Sequence, residues 1–440
     1  MATAPLAHNQ IGSLPAASAP AASARGAMLL AFIFYLFLLP RQFNPELGAF
    51  LITPGRTGLL LGAFWVIAAY VRREVRFLLP DACILGMIVW IFLSLYLTMG
   101  IESAISGSIS QLLDIALAYF VGRALIRTPR DFRLFLILIA PGVAITGFII
   151  TAESVLGSPF MQEAAFALTG IGRPPQNIFR FGFLRSLGPF PHPILAGTIM
   201  GSLLPLYAMS GIRGWPKWLG ILAPFSGIFT WSSSSFVSLF ASIGLIVYNW
   251  LTEMISNLSW RLFLLVLGMV MAIVELLSQS GLFRFVMRYA AFNQGSSYNR
   301  VLIWNWGTES VMANPLWGIG YNDWVRPRWM SASIDNYWLL LTMQHGFVVL
   351  FLLLGVLLYS LIRLGKTATR LPLVDQRLLI GVAISIAVYA VGAFSVSLWL
   401  TAQFWFFALL GIGVSLGSIS APARAAPASS GPALTKPSLR

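Results

Sequence analysis

Twelve apolar runs dominate this chain, near positions 27–43, 57–71, 80–99, 106–126, 132–153, 192–211, 216–231, 233–251, 260–278, 336–362, 378–397 and 400–418. Crossing a bilayer takes roughly 20 apolar residues as a helix, because each residue rises only ~1.5 Å. Most of the runs meet that length. Those at 57–71, 216–231 and 233–251 are short, and the last two nearly fuse at Ser232-Ser233-Ser234-Ser235. Hydrophobic residues make up 58% and charged residues 10% of the 440 positions, with a mean hydropathy of +0.81. A soluble domain carries about 25% charged residues, so this sequence cannot clothe a water-soluble globule. The composition excludes a cytosolic enzyme and predicts an all-α polytopic membrane protein of about 12 transmembrane helices with two long loops.

Residues 1–25 and 419–440 are rich in Ala, Pro and Ser and read as disordered tails around a membrane domain at 26–418. The small residues of the first tail precede the apolar run, the reverse of a cleavable signal. A single cysteine, Cys83, excludes a disulfide framework and a Cys-based zinc site. Three scattered histidines, His8, His192 and His345, are too few for a histidine metal cage. Basic residues outnumber acidic ones by 28 to 14. Nucleic-acid binding is not needed to explain this, since loop charge sets membrane orientation.

An even number of spans places both termini on one side. With the N-terminus cytoplasmic, 18 of the 28 basic residues fall inside, including Arg72, Arg73, Arg76, Arg123, Arg127, Arg130, Arg133, Arg363, Lys366, Arg370 and Arg377. The positive-inside rule favours this orientation. The long loops, 154–191 and 279–335, then face outward. The ten outward basic residues are all arginines: Arg41, Arg56, Arg173, Arg180, Arg185, Arg284, Arg288, Arg300, Arg326 and Arg328. Arginine suits bidentate contact with phosphate oxygens.

The first outward loop ends Arg180-Phe181-Gly182-Phe183-Leu184-Arg185-Ser186-Leu187-Gly188-Pro189-Phe190-Pro191-His192-Pro193. So many glycines and prolines preclude regular helix, and irregular backbone at membrane depth must be buried in protein or line a wet cavity. The second carries Tyr298-Asn299-Arg300, a helical pattern through Val301, Trp304, Thr308 and Val311 that ends at Asn314-Pro315, then Gly318-Ile319-Gly320, Asp323-Trp324, Arg326-Pro327-Arg328 and Ser333-Ile334-Asp335-Asn336-Tyr337. Its tryptophans form either an interfacial belt or a platform for sugar rings, with Trp304 and Trp324 the candidates for the latter. Gly-Ile-Gly is half of a dinucleotide fingerprint and follows no strand. Gly365-Lys366-Thr367 lacks the glycine a phosphate loop requires at position 360.

These segments together resemble the O-antigen ligase/polymerase superfamily of bacterial membrane glycosyltransferases, most closely its exopolysaccharide polymerases. The resemblance covers about 30–418 and rests on Arg185-Ser186-Leu187-Gly188-Pro189 with His192-Pro193-Ile194, on Arg300 with Trp304, on Asn314-Pro315 through Gly320, and on Ser333 to Tyr337. It implies a helical, GT-C-like membrane fold and, as donor, a glycan carried on undecaprenyl diphosphate at the periplasmic face of the bacterial inner membrane. It implies no cofactor, no metal and no nucleic acid. Membrane lipids, a chain-length regulator and export proteins are the implied partners. Where the ligase branch ends its second loop in His-Asn, this chain has Asp335-Asn336, which points to polymerisation and away from lipid A ligation. The branch's Ser-Arg-Gly is replaced by the serine run at 232–235.

Glycan transfer from a lipid diphosphate needs cations for the leaving group and a proton acceptor for the attacking hydroxyl. The resemblance and outward placement assign Arg185 and Arg300 to the diphosphate, with Arg180 beside them. Arg326 and Arg328 steer an anionic substrate, with Asp323 as their counter-ion. Asp335 or His192 is the proton acceptor. Against this stand structural roles: Asp335 as the N-cap of a helix starting near 336, His192 as a residue bonded to backbone at a helix start, and Arg300 as a headgroup anchor. Asp114 lies inside a span, where a carboxylate is paired or functional. Glu153 and Glu275 sit near outer span ends, as partners for outward arginines or alternative bases. A ligase and a flippase of lipid-linked sugars are the competing functions. The latter would show internal repeats and charged or broken helices at the bilayer midplane, whereas the informative residues here crowd into outward loops.

Overall fold

The computed structural model describes residues 19–43, 46–47, 50–51, 53–171, 176–278, 281–289 and 294–419. Most of both tails and Arg173 lie outside the described residues. The chain begins with α1 (Ala19–Phe37), which starts inside the stretch read as tail, and a small β1–β2 hairpin (Glu46–Leu47, Phe50–Leu51). There follow α2 (Pro54–Val71), α3 (Leu79–Met99), and α4 (Ile101–Gln111), which runs through a π-helical turn (Leu112–Leu117) into α5 (Ala118–Leu125). Next come α6 (Pro129–Leu156), α7 (Phe160–Thr169), the β3–β4 hairpin (Phe179–Arg180, Phe183–Leu184), and α8 (Pro193–Ala208). α9 (Trp215–Leu222) continues as a 3-10 segment (Ala223–Thr230) and α10 (Ser233–Met254) follows. The rest is α11 (Trp260–Leu277), α12 (Gly281–Tyr289), α13 (Gln294–Ala313), α14 (Tyr337–His345), α15 (Phe347–Ala368), α16 (Leu373–Gly392) and α17 (Thr401–Gly417).

Eight helical stretches among the described residues are long and apolar enough to cross a membrane, and three shorter apolar helices accompany them, at Ala24–Phe37, Pro193–Ala208 and Thr401–Gly417. The protein is a helical, multi-pass membrane protein. α17 and α8 form its centre: every residue of α17 is buried, and so is almost every residue of α8. Close approach depends on small residues, as is usual between membrane helices. A Cβ on Gly122 would lie 2.2 Å from the Ala408 carbonyl oxygen, and one on Gly411 2.0 Å from that of Tyr119. The serine run works in the same way. Ser233, Ser234, Ser235 and Ser238 are buried against α8 and its neighbours, and Ser242 donates to the Gly201 carbonyl at 2.8 Å. Trp231, in the left-handed region at φ +47°, turns the chain between the 3-10 segment and α10.

Polar side chains mend the helices where proline interrupts them. Pro141 lies inside α6, and the hydroxyl of Tyr35 is inserted into the bond its neighbours would make. It donates to the Leu138 carbonyl at 2.9 Å and accepts from the Gly142 N–H at 3.2 Å. Asp114 is paired, as its depth requires: both of its oxygens accept from Arg56, at 2.8 and 2.5 Å, and Arg56 also donates to Ser110.

The apolar run at 336–362 is two helices. Gly346, at φ +79°, separates α14 from α15, and a Cβ there would lie 1.9 Å from the Leu316 carbonyl oxygen. The Asn314-Pro315 to Gly320 segment braces this break. Ile319 and Gly320 donate to the carbonyls of Met343 and Gln344, and Phe347 donates to Pro315, at 2.8 to 3.0 Å. Broken helix is tolerated in a membrane when such bonds satisfy its backbone. The Gly-Ile-Gly is thus a splint.

The long loops also contain ordered structure: α7 and the β3–β4 hairpin in the first, α12 and α13 in the second. α13 ends at Ala313 as Asn314-Pro315 predicts, and packs Ile303 and Val311 against Leu339 and Met343 of α14.

Candidate functional site

The site is assembled where the first loop meets the start of α8. Glu153, near the C-terminal end of α6 and fully buried, holds this loop. Its carboxylate accepts from the Ser186 hydroxyl at 2.8 Å and from the backbone N–H groups of Gly188, Met161 and Leu187 at 2.9, 3.3 and 3.4 Å. Gln162 of α7 donates to the carbonyl of Gly188 at 2.7 Å. Ser154 donates to that of Leu184 at 2.9 Å, and the Ser186 N–H donates to Phe229 at 3.3 Å. The irregular Arg185–Pro191 segment is therefore rigid. Among the described residues Glu153 pairs with no arginine, and its carboxylate is engaged by the Ser186 hydroxyl and by backbone N–H groups. Glu275 likewise accepts from the Leu282 N–H at the start of α12.

Three guanidinium groups converge on this scaffold. Arg185 is partly buried, its Nε has no hydrogen-bond partner, and its pKa is pushed down to about 10, by burial first and then by Arg180 and Arg300. Arg300, 9% exposed on α13, is also depressed, by burial and by Arg180, with Asp335 opposing. Arg180 donates to the Trp231 carbonyl at 2.8 Å. Residues more than a hundred positions apart thus feel one another's charge. Asp335 offsets the charge of Arg300, and the excess of cations left beside it is costly to desolvate until an anion joins it.

His192 is the N-cap of α8. Its Nδ1 accepts from the Ile194 N–H at 3.2 Å, so the ring proton of the neutral form sits on Nε2. Burial, then Arg185, and more weakly Arg300, push its pKa down to about 4 against the pull of Asp335. The ring is neutral at pH 7 and presents a donor. That geometry withdraws the proton-acceptor role from His192: the lone pair is committed to the cap.

Asp335 is freed by the opposite circumstance. The cap of α14 is Asn336, whose Oδ1 accepts from the Leu339 N–H at 3.1 Å. Asp335 stands one residue outside the helix, half-buried, accepting from Ser333 at 3.1 Å. The turn after the C-terminal end of α16 holds the whole segment. Tyr337 donates its N–H to the carbonyls of Ala393 and Val396, Ser397 donates to Ile334, and Arg300 donates to Ser395 at 3.4 Å. The 393–397 turn, which carries no charge or motif, thus positions both Arg300 and Asp335.

The other sequence candidates lie elsewhere. Trp324 is 5% exposed in a small core with Met330 and Ile334, and its indole N–H donates to Ala332 at 3.1 Å; neither ring face is free for a sugar. Trp304 stacks on Phe283 at 4.0 Å. Arg326 is a loop staple, paired with Asp323 at 2.5 Å, bonded to the carbonyls of Met330 and Trp324, and lying over the Trp324 ring. Arg328 is exposed. A different aromatic surface adjoins the arginines. Trp231 stacks on Phe183 at 5.0 Å and meets Phe181 edge-on at 6.0 Å, with Phe181 and Phe183 exposed. Phe181 and Trp231 both have positive φ, +54° and +47°, strain of the kind that gathers at functional sites.

No group of three or more His, Cys, Asp or Glu able to hold a metal occurs among the described residues. No protein-family model matches the chain, and no curated protein matches it.

Proposed function

We propose that the chain is a bacterial inner-membrane polysaccharide polymerase of GT-C-like architecture. It transfers a growing glycan from undecaprenyl diphosphate to a lipid-linked repeat unit on the periplasmic side. The observation that carries this reading is the convergence of Arg180, Arg185 and Arg300 near the start of α8, with the half-buried Asp335 beside Arg300 and His192. An excess of two positive charges, three guanidiniums less one carboxylate, suits a diphosphate leaving group.

In this reading the acceptor hydroxyl attacks the anomeric carbon of the donor. A new C–O bond forms, the bond to the lipid diphosphate breaks, and its electron pair leaves with the diphosphate oxygen. Arg185 and Arg300 stabilise that charge, which grows only as the bond breaks and is therefore stabilised most in the transition state. Asp335 takes the hydroxyl proton, and His192 donates through Nε2–H to a substrate oxygen. Phe181, Phe183 and Trp231 offer flat faces to the sugar rings. In this reading the chain crosses the membrane twelve times with both termini cytoplasmic, and the site then faces the periplasm.

Purified protein given lipid-linked repeat units in detergent is expected to make lengthened glycan. Failure to elongate the correct substrate overturns the polymerase. Transfer to a different acceptor would assign the ligase reaction to the same site.

A further inference from the structure

At the opposite end of the bundle, the start of α1 and the ends of α2 and α5 enclose a cavity of about 120 Å³. Arg25, Arg72 and Arg127 line it with Glu74 and Trp65, over a floor formed by Ala68, Ala69 and the backbone of Gly26 against Leu125. The floor is tight, for a Cβ on Gly26 would lie 2.5 Å from the Leu125 carbonyl oxygen. Arg127 is bonded to Glu74 at 2.6 Å. Arg25 and Arg72 are exposed and have no ion-pair partner among the described residues.

Among the described residues no carboxylate lies within ion-pair distance of Arg25 or Arg72. Every other carboxylate at this end is engaged: Asp81 by Arg123, Asp375 by Arg133, Glu253 by Arg377, and Asp131 by the backbone at the start of α6. Neither tail contains an Asp or Glu, in residues 1–24 or 420–440. Below the cavity, α2 turns Leu61, Phe64 and Ile67 outward, 48%, 71% and 62% exposed, and Trp65 sits about 9 Å from the helix end at the usual rise. Charge at the rim, an indole about one and a half turns into α2 and an apolar track beyond it lie along one stretch of that helix.

We propose that this cavity binds an anionic phospholipid. Its phosphate lies between Arg25 and Arg72, its glycerol beside Trp65, and its acyl chains along Leu61 and Phe64. The inference is independent of the polymerase reading.

The test is native mass spectrometry of the full-length protein exchanged with phosphatidylglycerol or phosphatidylcholine. Wild type is expected to retain one phosphatidylglycerol with a preference of roughly tenfold or more over phosphatidylcholine, given two basic residues at an anionic headgroup. Arg25→Gln with Arg72→Gln should abolish that preference, and Arg370→Gln, a basic residue elsewhere at this end, should not. Ala68→Phe fills the cavity at constant charge and should displace the lipid as well. Equal retention by wild type and the Arg25/Arg72 variant overturns the proposal. So does equal loss in Arg370→Gln, or displacement of the lipid by millimolar inorganic phosphate, which would make this a site for a soluble anion.

Discussion

Two side chains in the site trade the roles their types suggest. A histidine among prolines looks like a base and an aspartate before a helix looks like a cap, yet His192 caps and Asp335 does not. The consequence for pH is definite. The unfolded His192 has a pKa of ~6.5, and the folded one about 4. The folded state therefore prefers the neutral ring. Its contribution to stability is complete above pH ~6.5 and is lost as pH falls toward 4, because the unfolded chain takes up the proton first. Thermal melts should decline across that window, and His192→Asn, which keeps a capping oxygen, should flatten the decline. A decline left unchanged in His192→Asn would remove the ring as its cause. At Arg185 and Arg300, lysine keeps the charge but not the fork. Arg185→Lys and Arg300→Lys should each lower kcat by at least tenfold, about 1.4 kcal/mol, in protein that still inserts and folds.

Among the elements, the loop before α8 and the break between α14 and α15 show how irregular backbone survives in a membrane protein. The first depends on Glu153. Glu153→Gln puts an amide N–H among N–H donors, and should cost about 2–3 kcal/mol and weaken substrate binding through a displaced Arg185. The second depends on Gly346. Gly346→Ala meets both a positive φ and the Leu316 carbonyl, so it should destabilise by about 3 kcal/mol or more. Gly355→Ala, in open space on α15, should be neutral or stabilising by up to ~1 kcal/mol. Melting temperatures in one detergent would separate the two. The helix ends were legible beforehand where proline and asparagine mark them, as at Asn314-Pro315. The break at Gly346 was not, because Gln344-His345-Gly346 is a short interruption with apolar residues on both sides, and 336–362 reads as one run.

For the whole molecule, contacts sort the chain ends into two groups. Arg133 with Asp375, Arg377 with Glu253, and Thr367 with Gly417 meet at one end. Arg180 with Trp231, Ser397 with Ile334, and Thr401 with Phe37 meet at the other. In a Cys83→Ser background, an impermeant maleimide should label Arg328→Cys in intact cells and Arg370→Cys only after lysis. The reverse pattern would invert the topology and place the arginine site in the cytoplasm.

Hydropathy alone determined that this chain is a helical membrane protein, because burying backbone in lipid leaves helix as the local solution for runs of about twenty apolar residues. It also marked both arginine-bearing segments, since charge and glycine-proline clusters stand out against an apolar background. Only tertiary structure decided which arginines share a site, that Trp324 is core, that Glu153 is scaffold, and that an unremarkable turn at 393–397 aligns Arg300 with Asp335. Those outcomes depend on contacts between residues up to hundreds of positions apart, which no local pattern records.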